Sequence, residues 1–243
     1  MPIEKAVHFL KYDSTYGVSS LSIERSHNSI IIEGKEIQYS SEKSIKDLDW
    51  KNLSLDIAIH CSGTNKSSPD LKKYLDLGVE KVILSAPPDD DEIPIIINGF
   101  NHEEYHSKPI ISNASCTTYC VAPILELVER NYGINYANFT TIHCYTSDQN
   151  LQDAFHQDFR RSRAAGVNII PTTTSATKVI KTIFPNLKDK VTGSSFRVPV
   201  INGSITEFII DLKKTITAKE VVSQIQIESK EKYQDIIALT EDQ

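Results

Sequence analysis

Apolar residues fall along this chain in two patterns, short stretches at helical spacing and short unbroken runs, and each predicts a different element. Residues 3–12 (IEKAVHFLKY) predict a short amphipathic helix with no strand before it. Residues 20–25 and 29–40 predict strands that turn at Asn28 and Gly34. Residues 56–61 (DIAIHC) and 81–86 (KVILSA) are unbroken apolar runs of strand length. Ser62-Gly63 ends the first run, and Pro87-Pro88 with Asp89, Asp90 and Asp91 breaks the second. Between them, 69–77 predicts a helix with Gly78 at its C-terminus. This strand–helix–strand order predicts parallel pairing covered by helices.

Residues 94–98 and 109–112 are further strand candidates. A long helix is expected over 117–131, with Pro123 in its first turns and Gly133 just past its end. Longer strands over 138–145, 191–199 and 203–213, with helices near 175–184 and 217–227, predict a second half with a more antiparallel sheet. The expected fold class is α/β followed by α+β, with the boundary near residue 115.

Composition narrows the function classes. The chain has 243 residues, 40% hydrophobic and 24% charged, which suits one large globular domain or two small ones. Its net charge of −6 argues against general affinity for nucleic acid or an anionic membrane. The charge is uneven: residues 151–200 hold eight Lys/Arg and three Asp, a +5 island in a chain whose remainder is −11. Such an island fits a local anion site or a solvated basic face. No window reaches the roughly 18 apolar residues of a membrane span. The N-terminus lacks a signal peptide's basic start and apolar core. A cytoplasmic protein with reduced cysteines is therefore expected. Glycine is scarce, 9 residues where average use of about 7% would give roughly 17. No two stand as Gly-x-Gly, so no glycine-rich phosphate cradle is present.

Cys116 lies between a predicted strand and the predicted start of the long helix. A helix N-terminus carries unsatisfied N–H groups and partial positive charge, and both stabilise a thiolate. Ser115 and Thr117 could cap that helix or bind an anion there. Cys61, Cys120 and Cys144 fit small core residues. In the alternating segment FTTIHCY, His143 shares a face with Thr141 and Tyr145 and could serve the thiol as a base. Zinc is not expected: Cys116, Cys120 and Cys144 with His143 are loosely spaced, and adjacent strand residues face opposite ways.

The segment SNASCTTYC, followed by TTIHCYTSDQ, RRSRAAGVNIIPTTTSATK (160–178) and TGSSFRVPV, resembles the glyceraldehyde-3-phosphate dehydrogenase family. KYDSTYG, KVILSAPP and NGFNHEEY extend the resemblance backward through essentially the whole chain. It implies an incomplete Rossmann-like NAD-binding domain over 1–115 and a catalytic domain over 116–243. It also implies a homotetramer and a glycolytic, NAD-dependent oxidoreductase acting on a sugar-phosphate aldehyde and inorganic phosphate. Cys116 would be the nucleophile, and His143 would activate the thiol and hydrogen-bond the oxyanion. Thr146 and Arg197 match the substrate-phosphate pocket. Ser115, Thr174 and Arg161 match the attacking-phosphate side, with Thr117 close by. Ser62, Gly63 and Ser85 are what remains of the cofactor face. Arg160 and Arg163 fit surface or subunit contacts equally well.

The sequence departs from the family pattern at Tyr119, where asparagine is usual, and at Ser175, where glycine is usual. The resemblance further implies that the family's N-terminal glycine-rich segment and its C-terminal part are missing here, with NAD binding impaired. Erythrose-4-phosphate dehydrogenase is the nearest alternative enzyme. A catalytically impaired remnant acting as an interaction module and a cysteine hydrolase are the readings from other classes.

Overall fold

The computed structural model of the chain describes residues 1–241. They form two compact units, Met1–Leu55 with Lys73–Val79, and Asp56–Lys72 with Glu80–Gln243.

The first unit opens with α1 (Ile3–Lys11), followed by β1 (Tyr12–Asp13) and β2 (Gly17–Val18), a small antiparallel pair. The Asp13 carboxylate accepts from the Thr15 and Tyr16 N–H groups, both at 2.8 Å, and so builds the turn between the two strands. Then β3 (Ile23–Arg25), β4 (Ser29–Ile32) and β5 (Lys35–Gln38) form an antiparallel meander. The segment 29–40 turns at Gly34, as expected, and forms the hairpin of β4 and β5. Glu33 and Gly34 both take positive φ (49° and 76°), as a two-residue type I′ turn requires. Val7 of α1 packs against Ile23 and Ile30, which makes a small core of its own.

In the second unit β6 (Ile57–His60), β7 (Lys81–Leu84) and β8 (Ile110–Ser112) form a parallel sheet in that order. The boundary between the units falls inside α2 (Ser68–Asp76). The expectation that both faces of the first run are covered does not hold. Ala58 and His60 are buried, but Ile57 and Ile59 are 55% and 65% exposed. β6 is an edge strand packed on one side only, so an unbroken apolar run here does not mean two buried faces. Residues 94–98 also form no strand. They make one parallel bridge, Ile95 to Ser112, because Pro94 has no N–H to continue a ladder.

The rest of this unit runs α3 (Cys116–Tyr132), β9 (Ile134–Cys144), β10 (Ile170–Thr172), α4 (Ala176–Ile183), β11 (Val191–Val198), β12 (Ser204–Leu212) and α5 (Ala218–Glu228). Its sheet, ordered β10-β11-β9-β12, is mixed: β11 and β9 are parallel, and the other two pairings are antiparallel. The class is therefore α/β followed by α+β. Val121, Ala122 and Leu125 of α3 share one core with Ile180 of α4, Phe139 of β9 and Leu187, all almost fully buried. Each such large side chain contributes roughly 1.5–3 kcal/mol by leaving water. Gly193 of β11 lets β11 pass the Phe139 ring, which an added Cβ would strike. The outer side of the sheet leaves Tyr136, Ile142, Ile205 and Ile209 exposed.

The cysteines differ from expectation. Cys61 and Cys120 are exposed and Cys144 is half-buried, so none is a core residue. Cys61 follows the last residue of its strand, and Cys120 lies on the side of α3 turned away from the core. Among the described residues, no helix is long and apolar enough to cross a membrane.

Candidate active site

Between β8 and α3 the chain turns within three residues. The Asn113 N–H donates to the Leu84 carbonyl at 2.8 Å. The Ser112 hydroxyl donates to the Ala86 carbonyl at 2.7 Å and accepts from the Ala114 N–H at 3.1 Å. Ala114 is buried and left-handed, with φ 53°. Ser115 is the N-cap, its side chain accepting from the Thr118 N–H at 3.2 Å. Cys116 is thus the first residue of α3, where free N–H groups and the helix dipole favour negative charge.

The mixed sheet supplies the groups facing the thiol. The parallel register of β11 on β9 sets Arg197 opposite His143 and Val198 opposite Cys144. Cys116 Sγ lies 3.5 Å from His143 Nε2. On the other side of the ring, Nδ1 meets the Arg197 guanidinium at 2.7 Å and the Cys144 carbonyl at 2.8 Å. A guanidinium only donates and a carbonyl only accepts, so Nδ1 serves one of them at a time. With Nδ1 bare, it accepts from Arg197 and the ring proton sits on Nε2, toward Cys116. With Nδ1 protonated, it donates to Cys144 and Nε2 offers the thiol a lone pair. Arg197 also donates to the Cys144 carbonyl, at 3.0 Å. Cys144 Sγ approaches His143 Nδ1 to 3.5 Å, although adjacent strand residues were expected to face apart. The two side chains converge because they stand where the strand ends.

Burial and the Arg161 cation both push the Arg197 guanidinium below its ordinary pKa, against the Cys144 and Cys116 thiols and Asp148. A buried guanidinium with a second cation near it is a receptor for an anion. Arg161 is held by Thr172 Oγ1 at 2.8 Å, the Thr173 carbonyl at 3.4 Å and the Asp148 carboxylate at 2.6 Å. Burial would raise the Asp148 carboxyl, but Arg161 and His156 hold it below the usual range. His156 Nε2 stands 3.5 Å from Asp148.

The other residues singled out from the sequence are placed as follows. The Ser115 hydroxyl is engaged with Thr118, and Thr117 is buried in the first turn of α3. Thr146 is half-buried, its carbonyl accepting from the Gln149 N–H at 2.9 Å. Thr174 Oγ1 accepts from the Ala176 N–H at 3.2 Å, at the start of α4. Ser85 shares a cavity of about 280 Å³ with Asn113, Ala114, Ser115, Cys116 and Tyr119. Ser62 and Gly63 follow β6, where Ser62 Oγ stands 2.9 Å from His60 Nε2 and Gly63 is exposed with open space around it. Exposed small residues at two parallel strand ends, Ser85 sharing its cavity with the thiol, fit a flat cofactor ring. Direct contacts therefore unite Cys116, His143 and Arg197, and electrostatics adds Arg161. Asp148 was missed from the sequence; a loop carboxylate 13 residues from its arginine leaves no spacing signal. Among the described residues, no group of three or more His, Cys, Asp or Glu side chains could hold a metal ion.

A parallel sheet followed by a mixed one, with a thiol–imidazole pair between helix start and strand end, is the architecture of an enzyme that works by covalent catalysis on a thiol. The glyceraldehyde 3-phosphate dehydrogenase C-terminal domain family matches residues 115–243. The glyceraldehyde 3-phosphate dehydrogenase NAD binding domain family matches residues 1–68. Glyceraldehyde-3-phosphate dehydrogenase 1 of Bacillus cereus is 36% identical over 237 residues, which cover 97% of this chain and 71% of the relative. The Borreliella burgdorferi glyceraldehyde-3-phosphate dehydrogenase is 40% identical over 243 residues, 97% of this chain and 72% of that one. The Geobacillus stearothermophilus glyceraldehyde-3-phosphate dehydrogenase is 37% identical over 237 residues, 97% and 70%. The chain belongs to the glyceraldehyde 3-phosphate dehydrogenase family of oxidoreductases, whose cofactor is NAD.

Proposed function

We propose that the chain oxidises an aldose-phosphate aldehyde through a covalent intermediate on Cys116 and passes the acyl group to inorganic phosphate. The observation that carries this reading is the 3.5 Å approach of Cys116 Sγ to His143 Nε2 at the N-terminus of α3. His143 takes the thiol proton, and the thiolate attacks the aldehyde carbon to form a carbon–sulfur bond. The Nε2–H then donates to the resulting alkoxide, giving a thiohemiacetal. NAD would be held by Ser62, Gly63 and Ser85 and would supply the hydride acceptor for oxidation to the thioester. During that oxidation His143 accepts the hydroxyl proton. A phosphate oxygen attacks the thioester carbonyl, and the Cys116 thiolate leaves. Arg197 with Thr146 binds the substrate phosphate. Arg161, with Ser115, Thr117 and Thr174, receives the attacking phosphate once Asp148 releases the guanidinium.

Residues 1–115 serve as the NAD-binding part and 116–243 as the catalytic part. The exposed Phe155 and Phe159 (91% and 89%) and the outer sheet residues Ile205 and Ile209 support a homo-oligomer, which we assign as a tetramer. The unpaired cysteines suit a reducing compartment, and we assign the chain to the cytoplasm and to glycolysis.

The test is acyl release with glyceraldehyde 3-phosphate and NAD, with and without phosphate. Turnover that requires phosphate supports this reading. Turnover that ignores phosphate supports the erythrose-4-phosphate alternative.

A further inference from the structure

The turn that presents Cys116 holds a residue in a disfavoured conformation. Ala114 has a Cβ yet stands at φ 53°, and the chain leaves that region readily unless its neighbours are fixed. On the strand side Ser112 fixes it, through the Ala86 carbonyl and the Ala114 N–H. Between Ser112 and Ala114 stands Asn113, an exposed residue whose side chain has no core to hold it. Tyr119 supplies the missing anchor. It stands one turn into α3, its ring is half-buried against the core, and its hydroxyl donates to Asn113 Oδ1. The Asn98 N–H reaches the same phenol oxygen, with a long contact of 3.5 Å. Tyr119, Asn113, Ala114 and Cys116 line one cavity, so the brace and the thiol share a wall.

We propose that Tyr119 is a positioning residue for Cys116: its hydroxyl locks Asn113, keeps Ala114 left-handed and thereby holds the thiol at the helix end, against His143. The inference rests on Cys116 being the nucleophile. Tyr119 touches no reacting atom and acts through the turn. Without the hydroxyl, Asn113 and Ala114 relax and the thiol drifts from the groups that stabilise its anion. A displacement of about 1 Å in a reacting group costs up to roughly a hundredfold in rate.

The experiment compares Tyr119→Phe, which keeps the ring, with Asn113→Ala, which removes the acceptor on an exposed residue and spares the core. The rate of Cys116 alkylation by iodoacetamide is read by peptide mapping of the full chain, at neutral pH and near pH 10. Each single variant is expected to slow Cys116 about tenfold at neutral pH. The double variant is expected to be no slower than either single, because both break one interaction. Near pH 10, where every thiol is ionised, all rates should agree within about twofold. An unchanged rate at neutral pH, equal slowing at both pH values, or additive slowing in the double variant would overturn the proposal. If the unsubstituted Cys116 reacts no faster than Cys61, the nucleophile reading fails and this inference with it. If Cys116 is fast and Tyr119→Phe leaves it fast, this inference alone fails.

Discussion

The first turn of α3 and its second half are built on opposite terms. Around Cys116 the helix start is solvent-accessible, preceded by a left-handed alanine and held by polar contacts from Ser115 and Tyr119. In the second half of the helix Leu125 and Leu127 are fully buried, and Glu126 sits in a dense ionic cluster. There Lys232 Nζ and the Tyr233 hydroxyl meet the Glu126 carboxylate at 2.7 and 2.5 Å, and Arg130 bridges it to Glu228 of α5. Burial, reinforced by the Glu126 carboxylate, pushes the Tyr233 phenol well above its ordinary pKa, so it remains a donor. One helix is thus anchored at its far end so that its near end can stay open and reactive. The stability of the unit and the reactivity of the thiol can therefore be changed separately.

The sharpest break is Cys116→Ser, which should lower dehydrogenase turnover by at least about a thousandfold while leaving the thermal midpoint almost unmoved. A large drop in that midpoint would mean that the thiol also supports the fold. Leu125→Ala should do the reverse. It removes about 2–5 kcal/mol of stability by leaving a cavity, measured by urea unfolding, with the alkylation rate of the remaining folded chain unchanged. Ser115→Ala falls between them, since the cap belongs to both functions. It should cost about 1 kcal/mol and also slow Cys116 alkylation.

A smaller effect comes from pH. Burial alone would raise the Glu126 carboxyl, but Lys232, Tyr233 and Arg130 hold it below its ordinary value of 4.5. A carboxyl depressed in the folded state stabilises the fold above its unfolded value, and that contribution is lost as pH falls through the folded value. The thermal midpoint should thus decline as pH drops below about 4.5. In Glu126→Gln it should start lower and decline less steeply. Equal slopes in both proteins would show that the cluster does not anchor the helix.

The long elements were legible because their apolar periodicity runs for many residues. α3, β11 and β12 were expected within a few residues of where they lie, and β9 was expected with a late start. The short pairs β1–β2 and the strand β10 were not. These three strands exist only through their partners, Val18 for Tyr12 and Arg197 for Ile170, and no local pattern announces them. The outer side of β6 was misread because a run of isoleucines looks the same whether one face is covered or two. Within the site, Cys116 and His143 could be proposed from their places at a helix start and a strand end. Their meeting could not, since it depends on how α3 seats against the end of β9. The Arg197–His143 contact follows from the parallel register of β11 on β9, and the Asp148–Arg161 pair from a loop without period.

The central claim, that the start of α3 and His143 make Cys116 a nucleophile, is tested most directly by competitive alkylation of the native chain at neutral pH. Cys61 and Cys120 are exposed as Cys116 is, and serve as references within the same molecule. Cys116 should be modified at least about tenfold faster than either, and His143→Ala should remove most of that advantage. Equal rates at the three cysteines would contradict the account, because accessibility alone would then explain the reactivity of Cys116.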